Sequence, residues 1–162
     1  MPMKVIHNLD PIYNEDSKIL ILGSMPSRIS SQLHFYYANK QNRFWKIMEI
    51  LFKQHFHSNE DKKKFLLANH IALWDVFASC EIDGSKDSSI KNSKLNPIDL
   101  LLRKSNIQCI FCTGKTAYET LLKNSNFSIP ILYLPSPSSA NAQFSLEDLV
   151  QEYEIIKNYL KN

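Results

Sequence analysis

Disulfides, membrane spans and glycine-rich cradles are all missing from this sequence, and each absence closes off a class of function. Three cysteines in 162 residues cannot form a paired disulfide framework. No apolar run approaches the ~20 residues needed to cross a bilayer, and no cleavable signal sequence opens the chain. A reduced, cytoplasmic setting without a membrane partner is therefore expected. Cys109 and Cys112 form a CxxC, but both fall inside an apolar strand read over Ile107–Cys112. Residues three apart on a strand face opposite ways, so these thiols cannot share a metal or readily oxidise together. Glycine is as scarce, with three residues. Gly114-Lys115-Thr116 would need a glycine five positions upstream to make a phosphate loop, and Cys109 stands there. Gly23-Ser24-Met25-Pro26-Ser27 lacks the pattern of a nucleophile elbow. His55 and His57 lie near a helix end without a carboxylate or cysteine partner in the sequence reading. No cofactor and no metal are expected.

What remains is the composition of a globular chain. Hydrophobic residues make up 44%, enough for a packed core rather than a disordered segment. The net charge of +3 permits a polyanionic partner without demanding one. No internal repeat, linker or low-complexity tract divides the chain, so one domain over residues 1–162 is expected.

Ile19, Leu20, Ile21 and Leu22 read as a strand covered on both faces. Phe44, Ile47, Met48, Leu51 and Phe52 recur at helical spacing, predicting a helix from about Asn42 to Phe56. Asn59 is read as the cap of a helix ending near Ala68, and His70–Phe77 as a second strand. Ser79–Ser93 reads as a surface loop. Asn96-Pro97-Ile98-Asp99 predicts a helix start with a capping amide, running to about Lys104. After the Ile107 strand, Thr113 or Gly114 opens a helix through Lys123, and Ile129–Leu134 makes a fourth strand. Ser145 and Asp148 predict a capping box for a last helix that turns Leu149, Tyr153 and Ile156 inward. Strands alternating with helices give a parallel sheet covered on both faces, a three-layer α/β/α sandwich.

Two loops at strand ends carry the chemistry. From Gly23 to Trp45 the chain is rich in aromatic and amide side chains and reads as a long structureless loop, a feature that is usually functional. In open parallel sheets ligands bind beyond the carboxyl ends of strands, so this loop is read as a wall gripping something flat and polar. Pro135-Ser136-Pro137-Ser138-Ser139-Ala140-Asn141-Ala142 is stiffened by proline and lined with small hydroxyls, suited to phosphate contacts.

On Gly23-Ser24-Met25-Pro26, Tyr36-Tyr37-Ala38-Asn39, Asn42-Arg43-Phe44-Trp45 and Leu134-Pro135-Ser136-Pro137-Ser138, the chain resembles the uracil-DNA glycosylase superfamily. The resemblance runs from Ile19 to the last helix. It points to the branch of mismatch-specific uracil and thymine glycosylases and hypoxanthine-DNA glycosylases. It implies four parallel strands and a target base flipped out of DNA into a pocket. Tyr37 matches the base-stacking ring, while Tyr36 is read as structural. Gly23, Ser24 and Ser136 would rim the pocket, with Met25 adapting to a purine edge. Ser138, Ser139, Ala140 and Asn141 fall in the family's minor-groove segment, where Ala140 or Asn141 would fill the gap left by the flipped nucleotide.

The match departs from the family at informative places. Mismatch glycosylases hold water on an asparagine two residues after the first glycine, and Met25 stands there. In the hypoxanthine branch that role maps onto Asn42, for which helix capping is the competing role. Asn39 stands where the family more often has histidine, and Ser136 where uracil-specific members have histidine or asparagine. Asp75 is the reserve water-activating carboxylate. Backbone N–H groups around Ser24 and in Asp83-Gly84-Ser85 are candidate donors to the departing base. The expected activity is that of a monomeric, monofunctional DNA glycosylase releasing hypoxanthine first and uracil second. The alternatives are a hydrolase of free nucleotides or nucleosides and a non-catalytic damaged-DNA-binding module.

Overall fold

The structure, a computed structural model, describes residues 3–82 and 91–161. Strands β2 (Ile19–Gly23), β3 (Ile71–Asp75) and β6 (Cys109–Thr113) are buried at every position, as their unbroken apolar runs require. With β7 (Ile131–Leu134) at one edge they form a parallel sheet in the order β3-β2-β6-β7. The register sets Gly23 beside Asp75, and Thr113 beside Leu134. The carboxyl ends of the strands therefore line up along one edge.

From β2 the chain steps one way to β3, then crosses back to β6 and on to β7. Right-handed crossovers put helices of opposite steps on opposite faces. Helices α2 (Phe44–Phe52) and α3 (Asn59–Ala68) cover one face. The other carries α4 (Ile98–Arg103) and α5 (Lys115–Asn124). Helix α6 (Leu146–Tyr153) packs on α2 and leads into α7 (Ile155–Leu160). The three-layer sandwich forms as expected. In open parallel sheets a reversal of strand order such as the one beside β2 is where ligands bind, at the carboxyl edge.

A second sheet was not expected. Strands β1 (Met3–Ile6), β4 (Phe77–Ile82) and β5 (Lys91–Leu95) pair antiparallel in the order β1-β4-β5. They replace much of the surface loop read over Ser79–Ser93. Asn92, Ser93 and Lys94 are exposed, so β5 has no apolar alternation to betray it. Irregularities in β4 around Ser79 further break the period of two. Asp83, Gly84 and Ser85 lie outside the described residues.

Several boundaries also move. Helix α1 (Arg28–Leu33) interrupts the loop after β2, started by Ser27, whose Oγ accepts the Ser30 N–H. Only Ser30 is buried in it, so no apolar stripe marks it in the sequence. The α2 helix stops at Phe52 because Lys53 turns left-handed. Ser58, not Asn59, caps α3 by accepting the Asp61 N–H. Asn96 does not cap α4; its Nδ2 donates instead to the carbonyls of Asp75 and Phe77 at 2.9 and 3.0 Å. The Ser145–Asp148 capping box forms. No helix among the described residues is long and apolar enough to cross a membrane.

Candidate active site

Gly23 ends β2 at a point where no side chain fits. A Cβ there would lie 2.6 Å from Asp75 Oδ1, 3.2 Å from the Tyr37 hydroxyl and 3.7 Å from Thr113 Oγ1. The glycine is thus a backbone floor beneath three polar groups drawn from β3, the α1–α2 connection and β6. Thr113 donates to the Leu22 carbonyl at 3.3 Å and lies 3.3 Å from the Tyr37 hydroxyl. Tyr37 holds a left-handed backbone, φ 52°, which is costly for a bulky residue and typical of constrained functional positions. Its ring stacks on Phe44 with centroids 4.2 Å apart and planes 16° from parallel. One ring face therefore rests on the start of α2. Tyr36 is structural: it is buried, and its hydroxyl donates to the Asp10 carbonyl at 2.9 Å. Burial, reinforced by the charge of Asp75, raises its phenol far above the ordinary range.

Asp75 is buried and paired rather than exposed at a mouth. Its Oδ2 lies 2.8 Å from His7 Nε2, and the two side chains are 6% and 3% exposed. His7 Nδ1 accepts the Leu9 N–H at 3.3 Å, which places the imidazole proton on Nε2 facing the carboxylate. Burial raises the Asp75 pKa, and the hydrogen bond from His7 opposes that rise. Sequence reasoning missed His7. It reaches the site because β1 pairs with β4, bonding the His7 N–H to the Ala78 carbonyl at 2.8 Å. A four-residue strand paired 73 residues or more along the chain leaves no local signal.

Asn42 precedes α2, and its Oδ1 accepts the Phe44 N–H at 2.9 Å. The amide is therefore fixed, with one oxygen lone pair committed to the helix and the other, with Nδ2, left for further partners. The bond serves the first N–H of α2 from one residue outside the cap position, which Arg43 holds with no side-chain cap bond of its own. Among the described residues no hydrogen bond joins Asn42 to Asp75.

The loop after β7 holds the remaining predicted residues. Ser136 Oγ accepts the Ser138 N–H at 3.2 Å, Ser138 Oγ accepts the Ala140 N–H at 3.1 Å, and Asn141 Nδ2 donates to the Ser136 carbonyl at 3.0 Å. Ser139 and Ala140 are exposed at its tip. The loop passes over the start of α5, where a Cβ on Gly114 would lie 3.6 Å from Ser136 Cβ. Arg43, also unassigned from the sequence, holds this loop: its main-chain N–H and Nε donate to the Pro137 carbonyl at 3.0 and 3.3 Å. Its Nη2 donates to the carbonyls of Ser138 and Asn141 at 2.6 and 3.0 Å, and its Nη1 to that of Phe144. Ser24 is buried, with its carbonyl accepting the Phe77 N–H, and Met25 packs half-buried against the core.

The structure thus brings Gly23, Tyr37 and Asp75 together with Thr113, and sets Ser136, Ser138 and Asn141 in one loop joined to the residue after Asn42. Cys80, Cys109 and Cys112 are buried, and among the described residues they form no disulfide. Burial pushes the Cys109 and Cys112 thiols up to about 11 and about 12. Contrary to the sequence reading, exposed His55 does have a carboxylate partner, half-buried Glu49 at 2.9 Å. Among the described residues no three His, Cys, Asp or Glu side chains cluster as a metal site would require.

Residues 11–160 match the family model described as the uracil DNA glycosylase superfamily. The chain is 32% identical to a hypoxanthine DNA glycosylase of Methanosarcina barkeri over 136 residues, 81% of this chain and 85% of that one. It is 35% identical to a hypoxanthine DNA glycosylase of Methanosarcina acetivorans over 139 residues, 83% of this chain and 87% of that one. Its fold is similar to the solution NMR structure of a Methanosarcina acetivorans protein described as a candidate uracil DNA glycosylase. The TM-score is 0.83 at 32% identity, covering 99% of this chain and 100% of that one. The chain belongs to the uracil DNA glycosylase superfamily.

Proposed function

We propose that this protein is a monofunctional DNA glycosylase that hydrolyses the N-glycosidic bond of a deaminated base flipped out of DNA, hypoxanthine first and uracil second. The observation that carries the reading is the floor at Gly23, where a backbone surface meets Tyr37, Asp75 and Thr113 at the carboxyl edge of the sheet. Because nothing projects from Gly23, the side chains of Asp75, Tyr37 and Thr113 can close on the strand end and present their polar atoms together. Tyr37, backed by Phe44, offers its remaining face for stacking. The names of the two Methanosarcina relatives support hypoxanthine as the leading base.

In this reading Asn42 orients the hydrolytic water through its free lone pair and its Nδ2. An amide does not accept a proton near neutral pH, so the water is a weak nucleophile. That suffices when the sugar passes through an oxocarbenium-like transition state. Asp75, buried against His7, is the reserve water-activating group, and ionised it also stabilises positive charge developing on the sugar. Gly23, Ser24, Met25 and Ser136 surround the base, and backbone donors at the floor receive its developing negative charge. Ser138, Ser139, Ala140 and Asn141 grip the DNA at the minor groove. The enzyme acts as a monomeric single domain in the cytoplasm, and it uses no metal and no covalent lysine intermediate.

The test is base release from a panel of oligonucleotides carrying inosine, uracil and normal bases, run beside free deoxyinosine. Release from inosine-containing DNA, with free deoxyinosine untouched, is the expected result. Cleavage of free deoxyinosine would favour a nucleoside hydrolase, and binding without release a damage-recognition module.

A further inference from the structure

Among the described residues, every hydrogen bond from residues 137–144 to another part of the fold runs to Arg43. We propose that Arg43 is the positioning residue that preassembles this loop for the DNA backbone before DNA arrives. The proposal rests on the glycosylase reading only in taking DNA as the ligand. Pro135 and Pro137, with the Ser136 and Ser138 turn bonds, give the loop local stiffness. None of those bonds fixes where the loop stands relative to α2. Arg43 does so with a planar fork that serves carbonyls of Pro137, Ser138, Asn141 and Phe144. A lysine, with one rotating ammonium on a flexible stem, cannot span that set.

Two consequences follow for DNA binding. Four carbonyl oxygens gathered on a cation are not presented to an incoming phosphate. The loop is also ordered in the free protein, so binding loses less conformational freedom than it would with a floppy segment. Arg43 itself is spent on these carbonyls and makes no phosphate contact. This separates it from the usual use of arginine on nucleic-acid surfaces.

The experiment measures duplex affinity, single-turnover base release and amide hydrogen exchange for the wild-type protein, Arg43→Lys and Arg43→Gln. Both substitutions are expected to weaken binding to inosine-containing and undamaged duplexes alike by ~10-fold or more, because ordering the loop is then charged to binding. The release rate at saturating protein should fall by a smaller factor. The slope of log affinity against log salt should stay unchanged in Arg43→Gln. A slope shallower by about 0.9 would mean that Arg43 neutralises a phosphate, and would overturn the proposal. Wild-type affinity in Arg43→Lys would overturn it too. Exchange on the free wild-type protein decides the matter even if the variants fold poorly. The Arg43 amide, bonded to the Pro137 carbonyl across to the loop, should be protected before DNA is added. Exchange there at the rate of unstructured chain would refute preassembly. A wild-type protein that binds duplex but releases no base would sink the glycosylase reading alone, leaving the affinity and exchange results to judge Arg43.

Discussion

Asn42 is asked to do two things with one amide, and the two can be separated. Its Oδ1 caps α2 through the Phe44 N–H, a bond whose loss costs about 1 kcal/mol. Orienting the hydrolytic water would be lost at the same time. Asn42→Ala should therefore lower stability by about 1 kcal/mol and slow single-turnover release by ~10²-fold or more, with DNA affinity nearly unchanged. Thermal or denaturant melts and single-turnover kinetics check the two effects separately. Full activity in a destabilised variant would reduce Asn42 to a cap. Asp75 makes a prediction of opposite character. Burial raises its folded pKa above the ordinary carboxylate value of 3.8, so the folded state binds the proton more tightly than the unfolded chain. Stability linked to Asp75 is then greatest below that value and declines as pH rises toward the folded pKa. Asp75→Asn removes the titration, so the variant should gain on the wild type as pH climbs from about 4 through this window, as pH-dependent denaturant melts would show. If Asn42 holds the water, Asp75→Asn keeps more base release than Asn42→Ala does.

Elements differ in how plainly the sequence announces them. The central strands were readable because Ile19–Leu22 and Cys109–Cys112 are apolar without interruption, which only burial on both faces explains. Strands β1, β4 and β5 were not, since their pairing is long-range and much of β5 is polar and exposed. The site divides in the same way. Gly23, Tyr37 and Ser136 sit in segments whose composition marks them as loops at strand ends. His7 and Arg43 act on partners about 70 to 100 residues away, and neither has a local pattern. The loop from Ser136 to Ala142 yields its own test. Ser138→Glu puts a negative charge and bulk beside the phosphate track, so affinity should fall by a similar factor for every duplex. Fluorescence anisotropy on inosine, uracil and undamaged duplexes measures this. A loss confined to one damaged base would show instead that the loop reads bases.

At the scale of the whole molecule, a doubly covered parallel sheet brings its strand ends to one edge and collects a backbone floor, a stacking ring and a clamped loop there. Chemistry by an oriented water requires no metal among these parts. Base release should therefore survive exhaustive treatment with EDTA; loss of activity that a particular divalent metal restores would contradict this. In the proposed reading the same assembly sets the choice of base. In that reading Met25, half-buried against the core, gives the pocket an adaptable apolar edge without a pyrimidine-specific hydrogen bond. Poorly paired bases also cost less to extrude. The most direct measurement is the single-turnover release of hypoxanthine and of uracil from matched duplexes, with Tyr37→Ala alongside. Hypoxanthine should leave faster than uracil, and loss of the Tyr37 ring should slow both. Efficient uracil release with no detectable hypoxanthine release would contradict the assignment of base, and release of neither would contradict the central claim.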